Sequence, residues 1–209
     1  YFRSGAAYRT RIALNLKKLE YQQFSVNLIK GGGEQFESDY SGVNPQNLVP
    51  TLMFGAQRIY QSMAIMEFLE EMFPEPSLLP ADQMGRARVR GLATMISCDT
   101  HPLNNLRVRL YLVDEMKVSE ENRRIWIEHW IRLGFEAYEK MLLDKEDDGP
   151  YSYGQFPTMA DVCLVPQVAN ARLNKVDLSD FPTILGVEKF CQAHPAFEKA
   201  LPANQPDAN

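Results

Sequence analysis

The chain is 209 residues long, 45% apolar and 23% charged, an ordinary globular balance with room for one large domain or two small ones. Its 22 Lys and Arg against 27 Asp and Glu leave a net charge of −5, which argues against a nucleic-acid partner. No run approaches eighteen consecutive apolar residues, so no membrane-spanning helix is expected. The first residue is Tyr and no charged-then-apolar leader is present; a few preceding residues are expected to be missing, and a first strand clipped with them.

The opening stretch, "YFRSGAAYRTRIALNLK", places Ser4, Gly5, Ala6 and Ala7 ahead of a helical stripe of Ile12, Leu16 and Leu19, widened by Ala13. "QFSVNL" (Gln23 to Leu28) then alternates at period two and is expected to be a half-buried strand. Gly31-Gly32-Gly33 reads as a loop, followed by a short helix near 34–40. "VPTLMFGAQRIYQS" (Val49 to Ser62) carries a hairpin signal, two short strands around Gly55-Ala56. Ser62 is expected to cap a helix from Ala64 to Met72, ended by Pro74 and Pro76. This order describes a small α/β sandwich.

After "FPEPSLLP" (Phe73 to Pro80) no further strand is expected. Helical patterns run from about Met84 to Glu115 and from Ser119 to Leu143, and "KEDDGPYSYGQFP" interrupts them as a loop. "TMAD" (Thr158 to Asp161) is a capping-box variant that opens another helix. A domain boundary is therefore expected near 74–83, and no internal repeat is visible. Cys98, Cys163 and Cys191 are odd in number and far apart, so they read as buried thiols in a reducing cytoplasm.

His101, His129 and His194 have no metal-ligand spacing, and G-x-S-x-G, P-loop and G-x-G-x-x-G motifs are absent. Three constellations remain, each with two readings. Ser4 at a helix mouth either caps that helix or, with the unpaired backbone N–H groups, faces an anion such as a thiolate or carboxylate. Val49-Pro50 is either a simple edge strand or a cis bond that exposes the Val49 N–H and C=O to an extended peptide, with Gln61 and Ser62 at a helix start beside it. "CDTHPLNNLRVRL" (Cys98 to Leu110) is either a solvated helix face or a site, kinked at Pro102, that gathers His101, Asn104 and Asn105 on adjoining faces.

Together these pieces resemble the zeta-class glutathione transferases, the group that includes the maleylacetoacetate and maleylpyruvate isomerases. The likeness runs through "YFRS…YRTRIALNLK", "NLIKGGGEQF", "NPQNLVPTL", "QSMAIMEFLEE", "LLPAD", "HPLNNLRV", "TMADVCLVPQVANA", "KVDLSDFPTI" and "QPDAN", nearly the whole chain. It implies a thioredoxin-like α/β N-terminal domain (residues 1–76) followed by an all-α C-terminal domain (83–209), paired as a cytoplasmic homodimer, with glutathione as cofactor and no metal. Ser4 matches the first serine of the family's S-S-C motif, placed to hydrogen-bond the glutathione sulfur. Gln35, Val49, Pro50, Gln61 and Ser62 match positions that hold the tripeptide, His101 a site that carries Gln or His near it, and Asn105 and Arg107 lie in the neighbouring ligand segment. Arg3, Arg9, Arg107 and Arg172 become candidate carboxylate partners, with Arg3 and Arg9 assigned beside Ser4 to the catalytic end. Two departures stand out: S-S-C reads Ser4-Gly5-Ala6, and the arginine of N-A-x-R-F is displaced in Asn170-Ala171-Arg172-Leu173-Asn174.

The activity so implied is isomerisation of a cis double bond, flanked by carboxylate and ketone, through reversible addition of the glutathione thiolate. A helix N-terminus plus one hydroxyl donor is worth about 1–2 kcal/mol towards the thiolate, roughly one pKa unit. Maleylacetoacetate is the leading substrate and maleylpyruvate a close second. A general conjugating transferase and a non-catalytic binding module are the competing functions.

Overall fold

A computed structural model describes residues 1–208. Two compact units emerge: Tyr1–Leu78 together with the tail from Ala193 onward, and Leu79–Gln192.

In the first unit, α1 (Gly5–Leu16) is buried on nearly every side from Ala7 to Leu14, more than one amphipathic stripe requires. It packs against α3 (Ser62–Met72) and against α10 (Pro195–Ala200) from the C-terminal tail. Arg11 makes that second contact. Its Nε and Nη2 donate to the Ala200 carbonyl at 3.3 and 3.2 Å, Nη2 reaches Phe2 O at 3.2 Å, and Asn15 Nδ2 adds a bond to Ala196 O at 3.0 Å. The sequence reading placed everything after 83 in the helical domain. Instead the tail covers α1, because a helical period shows that a segment has an apolar face but not which distant face will meet it. Arg11→Ala removes charged hydrogen bonds worth about 1.5–3 kcal/mol each, so amide exchange in α10 should rise at least tenfold. Unchanged protection there would show that apolar packing alone holds the tail.

The expected hairpin is present. Strands β1 (Thr51–Phe54) and β2 (Gln57–Tyr60) pair antiparallel, Thr51 opposite Tyr60, around Gly55 at φ 58°. The expected strand at 23–28 is not. It joins no ladder among the described residues, and Phe24 is 83% exposed. Alternation says which way side chains point, whereas a strand also needs a neighbour to receive its N–H and C=O groups. The short helix near 34–40 appears in pieces: 3₁₀ turns at Lys30–Gly32 and Glu34–Phe36, then α2 (Ser38–Ser41).

Helices α1 and α3 are joined at their C-terminal ends. Lys17 Nζ lies 2.5 Å from Glu70 Oε2 and 2.7 Å from Phe73 O, while Glu70 also accepts Ser77 Oγ at 2.5 Å and Leu78 N–H at 2.9 Å. Burial pushes the Glu70 carboxyl up, but these donors together outweigh it and hold the group below its ordinary range. A carboxyl depressed in the fold stabilises fully above its unfolded value, near 4.5, and loses that contribution as pH falls through the folded one. Between pH 5 and 3 the urea midpoint of the parent should therefore fall more steeply than that of Glu70→Gln. Parallel slopes would remove Glu70 from the acid sensitivity.

The second unit is helical throughout its regular structure. It contains α4 (Gln83–Thr94), α5 (His101–Asn104), α6 (Leu106–Asp114), α7 (Glu120–Leu143), α8 (Met159–Leu173) and α9 (Pro182–Gln192). Its core is α8, buried at every residue from Met159 to Val168 and packed on α4 and α9. Asp161 anchors the start of α8 by accepting the N–H groups of Thr158 and Ser152, both at 2.7 Å, and the Thr158 hydroxyl at 3.0 Å. The helical pattern expected from Met84 to Glu115, with a kink at Pro102, is broken twice. A π-helical turn spans Met95–Thr100, and the chain turns extended at Asn105 (ψ 168°), so that the break brackets Pro102. The wider turn also shifts the helical faces, and Cys98, expected buried, is exposed while Cys163 and Cys191 are buried. No described helix is long and apolar enough to cross a membrane.

Candidate active site

Helix α1 has 12 residues and α3 has 11, lengths of about 18 and 16 Å at 1.5 Å per residue. They pack together and meet at their C-terminal ends through Lys17 and Glu70, so they run parallel and their N-termini open on one side. Ser4 stands at one N-terminus and Gln61-Ser62 at the other. Two helix ends that share a side concentrate partial positive charge and unpaired N–H groups, a setting for anions. The hairpin register brings a third piece there. With Thr51 opposite Tyr60, Val49-Pro50 and Gln61-Ser62 lie at the same end of the ladder. The Val49–Pro50 bond is cis, as expected.

Ser4 caps α1, and capping does not exclude its other reading. Its Oγ accepts the Ala7 N–H at 3.2 Å and so caps α1, while its own O–H proton has no acceptor among the described residues. A hydroxyl that accepts one bond is polarised to donate another more strongly.

Val49 is held by its neighbours. Leu48 O accepts both Tyr40 Oη at 2.6 Å and Asn44 Nδ2 at 2.8 Å, and Tyr40 Oη lies 3.1 Å from Thr51 Oγ1. The N–H and C=O of Val49 itself make no hydrogen bond among the described residues. Sequence reasoning did not single out Tyr40 or Asn44; the tripeptide "NLV" gives no sign of a clamp whose partners lie four and eight residues away.

Gln61 is the N-cap residue of α3, at φ 65° and ψ 120°, a backbone conformation that costs a non-glycine residue about 1–3 kcal/mol. Ser62, expected as the cap, instead lies in the first turn, buried, with no hydrogen bond from its hydroxyl among the described residues. The Gln61 side chain donates to Gln46 Oε1 at 2.8 Å, a partner that sequence reasoning also missed. Gln35 is 6% exposed, and its Oε1 is buried with no hydrogen-bond partner. Gly33 makes room for it: at φ 112°, an added Cβ would sit 2.4 Å from the Gln35 amide.

The arginines separate by partner. Arg3 is exposed, its guanidinium 5.0 Å above the Phe2 ring, and Arg9 is buried within α1. Arg107, on α6, is exposed and makes no ion pair or hydrogen bond among the described residues. Arg172 is ion-paired with the buried carboxylate of Glu188. The pairing engages one guanidinium nitrogen of Arg172, and the side chain is still half exposed. His101 opens α5 and is half-buried. Asn105 uses its side-chain oxygen to accept the Val108 N–H at 3.2 Å and so caps α6, while Asn104 is buried. Among the described residues no His, Cys, Asp or Glu group is placed to hold a metal ion.

A hairpin unit with two helix N-termini on one side, combined with a separate helical unit, is the plan of the glutathione transferases. The family profile "Glutathione S-transferase, N-terminal domain" matches residues 3–72. Maleylacetoacetate isomerase of Pseudomonas aeruginosa is 45% identical over 208 residues, covering 99% of this chain and 96% of that protein. The solved holo structure of a maleylpyruvate isomerase, described as a bacterial glutathione S-transferase in the zeta class, superposes with a TM-score of 0.97 at 46% identity, covering 100% and 98%. A maleylacetoacetate isomerase from Anaeromyxobacter dehalogenans, solved with glutathione in its active site, gives a TM-score of 0.88 at 41% identity, covering 100% and 95%. The chain belongs to the zeta-class glutathione transferases, the family of the maleylacetoacetate and maleylpyruvate isomerases.

Proposed function

We propose that this protein is a glutathione-dependent cis–trans isomerase that converts maleylacetoacetate to fumarylacetoacetate. The observation that carries the reading is the Ser4 hydroxyl, capped into place with its proton unspent, at an end shared by two helix N-termini. Bound glutathione would supply a thiolate that adds reversibly to the conjugated double bond, so that the bond rotates as a single bond before elimination returns the thiolate.

The residues fit that group. The unpaired Val49 N–H and C=O suit the backbone of an extended tripeptide, and Pro50 lies between them and the hairpin. Gln61 and Ser62 offer side-chain donors at the α3 N-terminus for its carboxylate end, and the orphaned Gln35 Oε1 an acceptor. The Ser4 O–H donates to the sulfur and favours its ionised form. Arg3 and Arg107, both exposed, and Arg9, buried in α1, are the carboxylate partners that the family resemblance assigns, and a guanidinium offers the forked hydrogen bonds this needs. His101 and Asn105 are assigned to glutathione through the family resemblance.

Maleylpyruvate is the second substrate, because it presents the same diacid and enone and the family includes its isomerase. The test is spectrophotometric. Trans product should accumulate from maleylacetoacetate at catalytic glutathione; stoichiometric loss of the thiol would mark a conjugating transferase instead. We place the enzyme in the cytoplasm as a homodimer, and a monomeric mass by light scattering would count against the pairing.

A further inference from the structure

Asparagine is a poor helix former, yet Asn104, Asn170 and Asn174 all lie on or next to helices of the second unit. They are linked. Arg109 Nη1 donates to Asn174 Oδ1 at 3.1 Å, Asn174 Nδ2 to Asn170 Oδ1 at 2.6 Å, and Asn170 Nδ2 to Asn104 Oδ1 at 2.7 Å. Asn104 Nδ2 then donates to the Thr100 carbonyl at 2.7 Å. Every donor points the same way, from a guanidinium to a backbone carbonyl, so the bonds polarise one another.

The chain of bonds also closes on itself. Arg109 is on α6, which begins at the residue after Asn105, and Asn105 follows Asn104 directly. The circuit therefore spans the break between α5 and α6 and ties both to the end of α8. Its α5 end is held further: Trp126 Nε1 donates to Leu103 O at 2.7 Å, and Thr100 is seated against Gly134, where an added Cβ would lie 2.3 Å from Thr100 Oγ1. The break at Asn105, left alone, is a hinge at which the two short helices can reorient.

We propose that Asn104, Asn170 and Asn174 are positioning residues for the reaction. Their circuit fixes α5 against α6, and with them His101 on one helix relative to Arg107 on the other. The proposal rests on the assignment of His101, Asn105 and Arg107 to the ligands. None of the three asparagines needs to touch substrate or glutathione.

Asn170→Asp keeps the shape and the acceptor for Asn174 but removes the donor to Asn104. In the full-length ligand-free protein, the His101 imidazole resonance, assigned by its loss in His101→Ala, should shift and broaden while those of His129 and His194 stay. In the same variant kcat/KM should fall about ten- to a hundred-fold, mainly through KM, the scale of a misplaced binding group. Combined with His101→Ala, it should cost less than it does alone, since there is less left to position. If Asn170→Asp does not fold, Asn174→Ala cuts the same circuit at the neighbouring link. An unchanged resonance with unchanged KM overturns the proposal. A shifted resonance with unchanged KM overturns the positioning role, whereas unchanged KM in His101→Ala and Arg107→Ala overturns the ligand assignment and the positioning role with it.

Discussion

Replacing Ser4 with alanine is expected to slow isomerisation ten- to a thousand-fold, the range for removing one oriented donor from a shielded site. Gly5 and Ala6 beside it carry no hydroxyl or thiol to substitute. Because the same oxygen caps α1, the variant also loses about 1 kcal/mol of helix stability, and this must be separated from the chemistry. Ser4→Gly provides the separation, since glycine is an acceptable cap but has no hydroxyl: it should recover most of the stability and none of the rate. Glutathione affinity should change much less than the rate in either variant, because Val49, Gln61 and Ser62 are untouched. The thiol of bound glutathione, followed by thiolate absorbance, should titrate at higher pH in step with the lost rate. If rate and titration both stay as in the parent, the helix ends alone ionise the sulfur and Ser4 is only a cap.

The largest effect on stability is expected at Asp161. The carboxylate is fully buried and accepts two N–H groups and a hydroxyl, so Asp161→Ala leaves three donors unsatisfied inside the core of the second unit. Each buried unsatisfied group costs about 1–3 kcal/mol, and relaxation recovers part of the sum, so a loss of about 3–5 kcal/mol is expected. That is a large share of the 5–15 kcal/mol by which a domain is stable. Asp161→Asn keeps one acceptor oxygen and should lose roughly half as much. Urea unfolding measures both. A loss below about 1 kcal/mol in Asp161→Ala would mean that α8 starts without its box, held by packing alone.

Much of the first unit was legible because its determinants are local. The hairpin announces itself in two short strand signals around Gly55, and in the second unit the α8 start does so in Thr158 and Asp161, three residues apart. Ser4, Val49, Gln61 and Ser62 were singled out as ends of elements, and the structure brings those ends to one side because α1 and α3 pack in parallel. Gln46 and the Tyr40–Asn44 clamp escaped notice: a side-chain bond across a loop leaves no period in the sequence.

The sequence by itself determined the hairpin around Gly55, the capping box at Thr158 and Asp161, and the family. Those signals act within one turn or one tight loop, where backbone geometry and hydrogen-bonding capacity leave few alternatives. Only the tertiary structure decided which faces met. It left 23–28 without a ladder, put the tail from Ala193 over α1 through Arg11, paired Arg172 with Glu188, and closed a circuit of asparagines between residues up to 70 positions apart. Arginine and asparagine carry the same donors wherever they stand, and whether these are spent on a carbonyl, a carboxylate or a ligand depends on what the fold sets opposite them.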